Sequence, residues 1–310
     1  MNTASPKTKS EAERMASMTA PAKVNLALHV VGRRADGFHL LESLVAFTDH
    51  GDLLEVEDGK EDDFFVSGHY AAHVPIGETN LVTRARDLLR DRFGGAARKP
   101  VHLHLEKNLP VASGVGGGSA DAAAALRLLV DHWNIDISDA ALAKLGLGLG
   151  ADVPMCLASR PLVARGVGET LEVLQPFPAL PLVLVNPNIP LSTPDVFSSL
   201  QRRDNSPLPA LGVFSDARST ATWLSDARND LERAASALVP QIADVLGGLK
   251  EAGALAARMS GSGATCFGIF SSPQMAARAS AGLGAEHPDW FVLNTETRAA
   301  ERTHADHARA

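Results

Sequence analysis

The sequence predicts an α+β protein of two domains, and three observations carry that expectation. Segments with strict apolar/polar alternation are interleaved with segments of helical spacing, and the two kinds do not follow the regular βαβα order of a doubly wound parallel sheet. The chain has 310 residues, 45% hydrophobic and 21% charged, enough to bury two cores. A break in pattern at about 170–180 precedes an almost wholly apolar run, LPLVLVNP at 180–187. The expected layout is an N-terminal domain over 19–172 and a C-terminal domain over 173–298, flanked by polar, flexible tails at 1–18 and 299–310.

The elements follow in order. KVNLALHVV, 23–31, alternates with Val24, Leu26, Leu28 and Val30 on one face and Asn25, Ala27 and His29 on the other, so it predicts a strand; DLLEVED at 52–58 predicts a second. Residues 78–93 place Leu81, Ala85, Leu88 and Leu89 at helical spacing. VHLHLEK, 101–107, returns to alternation with His102 and His104 outward. A helix is expected from Ser119 to Trp133, and another capped by Ser138 that runs into Gly146, Gly148 and Gly150. Residues 201–218 are rich in Pro, Ser, Asp and Arg and predict a mobile loop. Helices are expected at about 219–236 and 239–252. RMSGSGATCFGIF then makes a glycine turn into a strand. No internal repeat is visible.

Composition removes several classes of function. The net charge is −7 and charges of both signs are scattered, so there is no basic stripe for nucleic acid or a membrane surface. An anionic ligand must therefore be held by local geometry. Two cysteines, Cys156 and Cys266, lie far apart among apolar neighbours and read as reduced core residues of a cytoplasmic protein. MNTASPKTKSEAERMASMTA lacks the apolar segment of a signal peptide, and no run approaches a membrane span. Met1, Met15 and Met18 are all candidate starts.

The stretch VASGVGGGSADAAAAL, 111–126, places Gly114, Gly116, Gly117 and Gly118 directly before a run of good helix formers. Glycines admit positive φ and close approach of the backbone, and a helix N-terminus offers unpaired N–H groups and a positive dipole end. Phosphate is the natural guest. A tight strand-to-helix connection would need fewer glycines. The loop lacks the Gly-Lys-Ser/Thr ending of a Walker loop, and Ser119 breaks the dinucleotide fingerprint in the register of Gly114. GLGLGA at 146–151 does fit that fingerprint, but a helical pattern precedes it where a strand is required; these glycines are expected to end a helix.

Lys23 opens an alternating strand directly after the Pro21–Ala22 pair, and lysine occurs only eight times in the chain. Its amine is either a surface charge at a strand edge or a cation aimed at a phosphate or an activated hydroxyl. Asp152 in GADVP could accept a proton or cap the next segment. DGFH at 36–39 is either a hairpin tip with Phe38 in the core or a flat ring offered to a base beside an imidazole. His102 and His104 have no third ligand in view, so metal binding is not expected of them.

Taken together, PAKVNLALHVVGRRADGFHLLESLV, PVASGVGGGSADAAAALRLL, LGADVP and SGSGATCFGIF resemble the GHMP small-molecule kinases, in the expected order, over residues 20–270. Within that superfamily PAKVNL and ADGFH resemble the branch whose acceptor is a cytidine diphosphate ester of methylerythritol. The resemblance implies a two-domain fold with the active site in the cleft between the domains, and ATP with Mg²⁺ as cofactors. It implies that Pro110, Val111, Ala112, Ser113, Gly114, Val115, Gly116, Gly117, Gly118, Ser119 and Ala120 surround the ATP phosphates. Asn80 and Lys107 become neighbours of the nucleotide, and SGSG at 260–263, with Gly261 and Gly263, closes the phosphate side. Asp152 matches the catalytic base and Lys23 its partner. Asn25, Phe38, His39, Thr193 and Phe197 fall where the family meets its acceptor, and Ser119 could contact Mg²⁺.

The implied chemistry is direct transfer: Asp152 takes the proton of the acceptor 2-hydroxyl, which attacks the γ-phosphorus in line while Lys23 steadies the charge. The partner is a small molecule, with no nucleic acid or membrane, and the protein is expected to be a monomer or weak homodimer. Many members carry Tyr where this chain has Phe38, and some an aromatic at Val45. Ala112 and Ser113 replace glycines common at the start of the loop. A GHMP kinase for homoserine, mevalonate or a sugar would have no use for ADGFH. A non-catalytic nucleotide-binding relative would be free to lose Lys23 and Asp152, and both are present.

Overall fold

The structure, a computed structural model, describes residues 16–301. Residues 1–15, with Met1 and Met15, and 302–310, which make up most of both expected tails, lie outside the described residues. The remainder of those tails belongs to the fold: Met18 pairs with Leu54 inside a strand, and Ala300 bridges to Phe177. Both tail boundaries are corrected accordingly.

The N-terminal part is a six-stranded sheet with helices on one face. β1 (Ala16–Arg33) and β2 (His39–Asp58) form one long antiparallel hairpin whose tip is DGFH. β2 is long enough to serve two further neighbours, with its first half pairing β5 (Leu162–Gly166) and its second half β4 (Val101–Glu106). β3 (Asp63–Ser67) adds to β4 in parallel, and β6 (Thr170–Val173) adds to β5 antiparallel. Over one face lie α1 (Leu81–Phe93), α2 (Gly117–His132), α3 (Asp139–Gly146) and α4 (Val153–Ala158), burying Leu89, Leu103, Leu105, Leu126 and Leu129. Ser138 caps α3 through the Ala141 N–H, and Gly146 ends it, so the glycines at 146–150 do close a helix.

The C-terminal part is a four-stranded antiparallel sheet in the order β10-β7-β9-β8, formed by β7 (Pro181–Asn186), β8 (Ala256–Met259), β9 (Cys266–Ile269) and β10 (Phe291–Glu296). One face is covered by α5 (Thr193–Ser198), α7 (Glu232–Leu238), α8 (Gln241–Glu251) and α9 (Pro273–Glu286). α6 (Ala217–Asp226) packs on the other core. The single helix expected at 219–236 is broken at 227–231. There Asn229 donates to the carbonyls of Met259 and Gly261, and Asp230 accepts from the Val30 N–H, contacts a continuous helix would forbid.

The two sheets share a core. Val24, Leu26, Leu44 and Ala46 of the first meet Leu182, Leu184, Phe267 and Ile269 of the second. For this reason β1 is buried on both faces from Ala20 to Val30, where the alternation predicts one outward face. Its pairing with β2 slips between Pro21 and Lys23 and again between Asn25 and Ala27. Such irregularities re-aim side chains, and Lys23 and Asn25 stand between the two slips.

Phe267 is fully buried in this shared core. Phe267→Ala should cost about 3–5 kcal/mol in a urea titration, and a loss below ~1 kcal/mol would contradict a core common to both sheets.

Candidate active site

Three segments converge where the sheets meet: the middle of β1, the loop 107–116 that feeds α2, and the turn 260–263 between β8 and β9. They line a cavity of about 410 Å³ together with Asp152, Ser119 and residues of α5.

Lys23 ties these parts together. Its main-chain N–H donates to the Val115 carbonyl at 2.8 Å, and its ammonium donates to Asp152 Oδ2 at 2.9 Å. The lysine is buried, whereas the Asp152 side chain is 40% exposed to the cleft. Burial disfavours the ammonium, but the charge and hydrogen bond of Asp152 outweigh it and hold the Lys23 pKa above its ordinary value. Asp152 occupies the N-cap position of α4 without capping it through its side chain. Of the two roles its sequence context allows, capping by the side chain is not the one the structure shows.

The glycines of the loop have separate physical reasons. Gly114 (φ +79°) lies so close to the 260–263 turn that a Cβ would run into the Ser260 carbonyl. The two loops are joined by Ser260 Oγ donating to the Gly114 carbonyl at 2.9 Å and by the Thr265 N–H donating to Ser113 O at 3.1 Å. Gly116 (φ +66°) faces the Lys23 stem, whose Cε would lie 2.9 Å from an added Cβ. Gly117 rests on the Lys107 ammonium, and Gly118 meets nothing nearer than Leu81 at 3.6 Å. The first intrahelical bond of α2 runs from the Ala120 N–H to Gly116 O, and no side chain caps the helix. The amides of Gly117, Gly118 and Ser119 are left at a positive helix end that lines the cleft, the geometry of an anion site. Ala112 holds φ +51°, a left-handed backbone that favours glycine.

Other residues singled out from the sequence are distributed as follows. Ala112, Ser113, Gly114, Gly116–Ser119 and Gly261 line the cleft with Lys23 and Asp152. Pro110, Val115 and Ala120 are buried beneath it, Val111 is exposed, and Gly263 packs against Met259 instead of facing the cleft. Asn80 spends its side chain on capping α1, accepting from the Val82 N–H and donating to Pro75 O. Lys107 is buried between Asp52 and Asp121, donating to both. Neither Asn80 nor Lys107, both expected as neighbours of the nucleotide, lines the cleft.

On the acceptor side, Phe38 is 63% exposed at the hairpin tip, which excludes the core alternative. His39 stacks on Phe197 with ring centroids 4.8 Å apart. Its pKa is lowered, by burial first and then by the charges of Arg33 and Arg203, so the ring is neutral near pH 7. Thr193 and Phe197 line the cleft, with Thr193 Oγ1 2.7 Å from Ser262 Oγ. Asn25 Nδ2 donates to Ser43 Oγ at 2.7 Å, while Asn25 Oδ1 and His39 Nε2 are buried without a partner. Ser43 is a cleft residue the sequence did not single out, with the alternation of β2 its only signal, whereas Ser262 lies in the SGSG turn expected to close the phosphate side.

No group of three His, Cys, Asp or Glu able to hold a metal occurs among the described residues. A magnesium ion carried mainly by phosphates needs only one or two protein oxygens, and Ser119 on the cleft wall fits that requirement.

Residues 80–160 match the family described as GHMP kinases N terminal domain, and residues 209–289 that described as GHMP kinases C terminal. The chain is 56% identical over 282 residues to a 4-diphosphocytidyl-2-C-methyl-D-erythritol kinase of Mesorhizobium japonicum, covering 91% of this chain and 96% of that one. It is 52% identical to the protein of the same name from Agrobacterium fabrum, covering 90% and 95%. The crystal structure of a 4-(cytidine 5'-diphospho)-2C-methyl-D-erythritol kinase superposes with a TM-score of 0.77 at 33% identity, over 91% of this chain and all of that one.

One electrostatic consequence is testable. Burial pushes Asp121 up to about 7, with Lys107 opposing and the Asp52 charge reinforcing the rise. The folded protein then keeps a proton that the unfolded chain, with an Asp pKa of about 3.9, has already released. That contribution to stability is complete below about pH 4 and is lost as pH rises through about 7. Melting temperatures of the unaltered protein should therefore fall relative to Asp121→Asn between pH 5 and 8; parallel profiles would contradict the assignment.

Proposed function

The chain belongs to the GHMP kinases, among the 4-diphosphocytidyl-2-C-methyl-D-erythritol kinases, and from that membership we propose that it transfers the γ-phosphoryl group of ATP to the acceptor's 2-hydroxyl. The products are the 2-phosphate and ADP, and the reaction belongs to the non-mevalonate route to isopentenyl diphosphate. The observation that carries this reading is the Lys23–Asp152 pair at 2.9 Å, set in one cleft with the free N–H groups of α2.

ATP lies with its phosphates against the amides of Gly117, Gly118 and Ser119. Ser113, Gly114 and Gly261 form the adjoining wall. Asp152 accepts the proton of the 2-hydroxyl as that oxygen attacks the γ-phosphorus in line. Lys23, kept charged by its partner, orients the carboxylate and offsets negative charge that develops in transfer. Ser119 would contact Mg²⁺, which would neutralise phosphate charge when bound. No covalent intermediate on the protein is required.

Acceptor choice rests on the end of the cleft lined by Asn25, Thr193 and Phe197, with His39 stacked behind Phe197 and Phe38 next to it in the chain. The ring of Phe38, the His39–Phe197 stack and the unpartnered His39 Nε2 suit a flat base with its own donors and acceptors. Asn25 Oδ1 offers an acceptor to a hydroxyl of the sugar-alcohol portion. Leaving such atoms unpaired while buried costs about 1–3 kcal/mol each, and a matching ligand offsets it. Both substrates are water-soluble anions, which fits a cytoplasmic enzyme. No helix among the described residues is long and apolar enough to cross a membrane.

ADP release from Mg·ATP should occur with 4-diphosphocytidyl-2-C-methyl-D-erythritol and not with homoserine, mevalonate or galactose; use of another acceptor would overturn the role of Phe38 and His39. Asp152→Asn should keep ATP affinity while turnover falls by about 10²–10⁴. Near-normal turnover in that variant would remove Asp152 as the base.

A further inference from the structure

The loop that faces the nucleotide phosphates leaves β4 at Lys107 and enters α2 at Gly117, and both of its feet meet at one buried carboxylate. Asp52 of β2 is fully buried. Its Oδ1 accepts from the main-chain N–H groups of Asn108 (2.6 Å) and Leu109 (2.8 Å), which fixes the outgoing foot. Its Oδ2 accepts from the Lys107 ammonium, and the same ammonium donates to Asp121 Oδ2 at 2.7 Å, on the second turn of α2. Gly117, the first residue of α2, sits directly on this ammonium: an added Cβ would lie 3.0 Å from Nζ and 3.7 Å from Asp52 Oδ2.

A cluster of this kind is a costly way to gain stability, because each ion must be taken out of water. What it does provide is geometry. Lys107 is held on its backbone as well, donating its N–H to Ser67 O and accepting from the Tyr70 N–H, so the cation cannot drift. An ammonium fixed on two sides gives the α2 N-terminus a single height and tilt relative to β2. The amides of Gly117, Gly118 and Ser119 are then aimed before any ligand arrives, and oriented donors of this type lose effect when displaced by an ångström.

We propose that Asp52, Lys107 and Asp121 form a buried clamp that sets the phosphate loop and the α2 N-terminus, with Lys107 acting on nucleotide through that placement and not by touching it. These are positioning residues. The clamp rests on the nucleotide-binding reading above, and its test separates the two. Dissociation constants for Mg·ATP and for inorganic tripolyphosphate are measured by calorimetry on the full chain, beside that of the acceptor.

Asp52→Asn and Lys107→Met should each weaken both phosphate ligands about tenfold or more and leave acceptor affinity unchanged. If Lys107 instead contacted the nucleoside, Lys107→Met would weaken ATP alone and Asp52→Asn would be silent, and the clamp would be overturned. Should Lys107→Met fail to fold, Asp52→Asn, which keeps shape and volume, decides the matter. Unaltered phosphate affinity in the variants overturns the clamp alone; absence of ATP binding by the unaltered protein overturns the kinase reading and the clamp with it.

Discussion

Lys23 reaches Asp152 only because residue 116 has no side chain. The lysine stem runs past Gly116, its backbone is pinned to Val115, and its ammonium ends on the carboxylate at the head of α4. One residue thus joins the first strand, the glycine loop and the carboxylate at the head of α4. The pairing slips in β1 on either side of Lys23 and Asn25 turn both side chains into the cleft from a strand otherwise committed to the core.

The same constraint explains how a protein of net charge −7 can take a triphosphate without a basic surface. Positive potential comes from one end of α2 and from Lys23, each fixed by the fold, while the ammonium beneath Gly117 is matched by Asp52 and Asp121. The second loop contributes no charge; Ser260 and Thr265 hold the first loop at its crest through Gly114 O and Ser113 O. Glycine is thus required at 114 and 116 for contacts inside the protein, while Gly118 leaves room on the ligand side.

Much of this was legible in the letters. Local periodicity placed β4, α1, α2 and α3 within a few residues, because their apolar faces repeat at the period of the element. The glycine loop, Lys23, Asp152, Asn25, Thr193 and Phe197 were all singled out, and the structure brings them to one cleft. What periodicity could not show is a strand covered twice: β1 alternates as if half exposed, yet a second sheet, distant in sequence, buries its outer face. Nor could spacing reveal that Asn80 would be used as a cap and Lys107 enclosed by two carboxylates from β2 and α2. Those outcomes depend on side chains that meet only in three dimensions. The helix break at 227–231 is of the same kind, since Asn229 and Asp230 answer to β8 and β1 and not to their own segment.

The central claim is a single in-line transfer to an acceptor oxygen activated by Asp152 beside Lys23. The most direct measurement is the stereochemical course with ATP made chiral at the γ-phosphorus by oxygen isotopes, read from the phosphorylated product. One direct displacement predicts inversion of configuration at phosphorus. Retention would mean two successive displacements through a phosphorylated group on the protein, and would contradict the role assigned to Asp152.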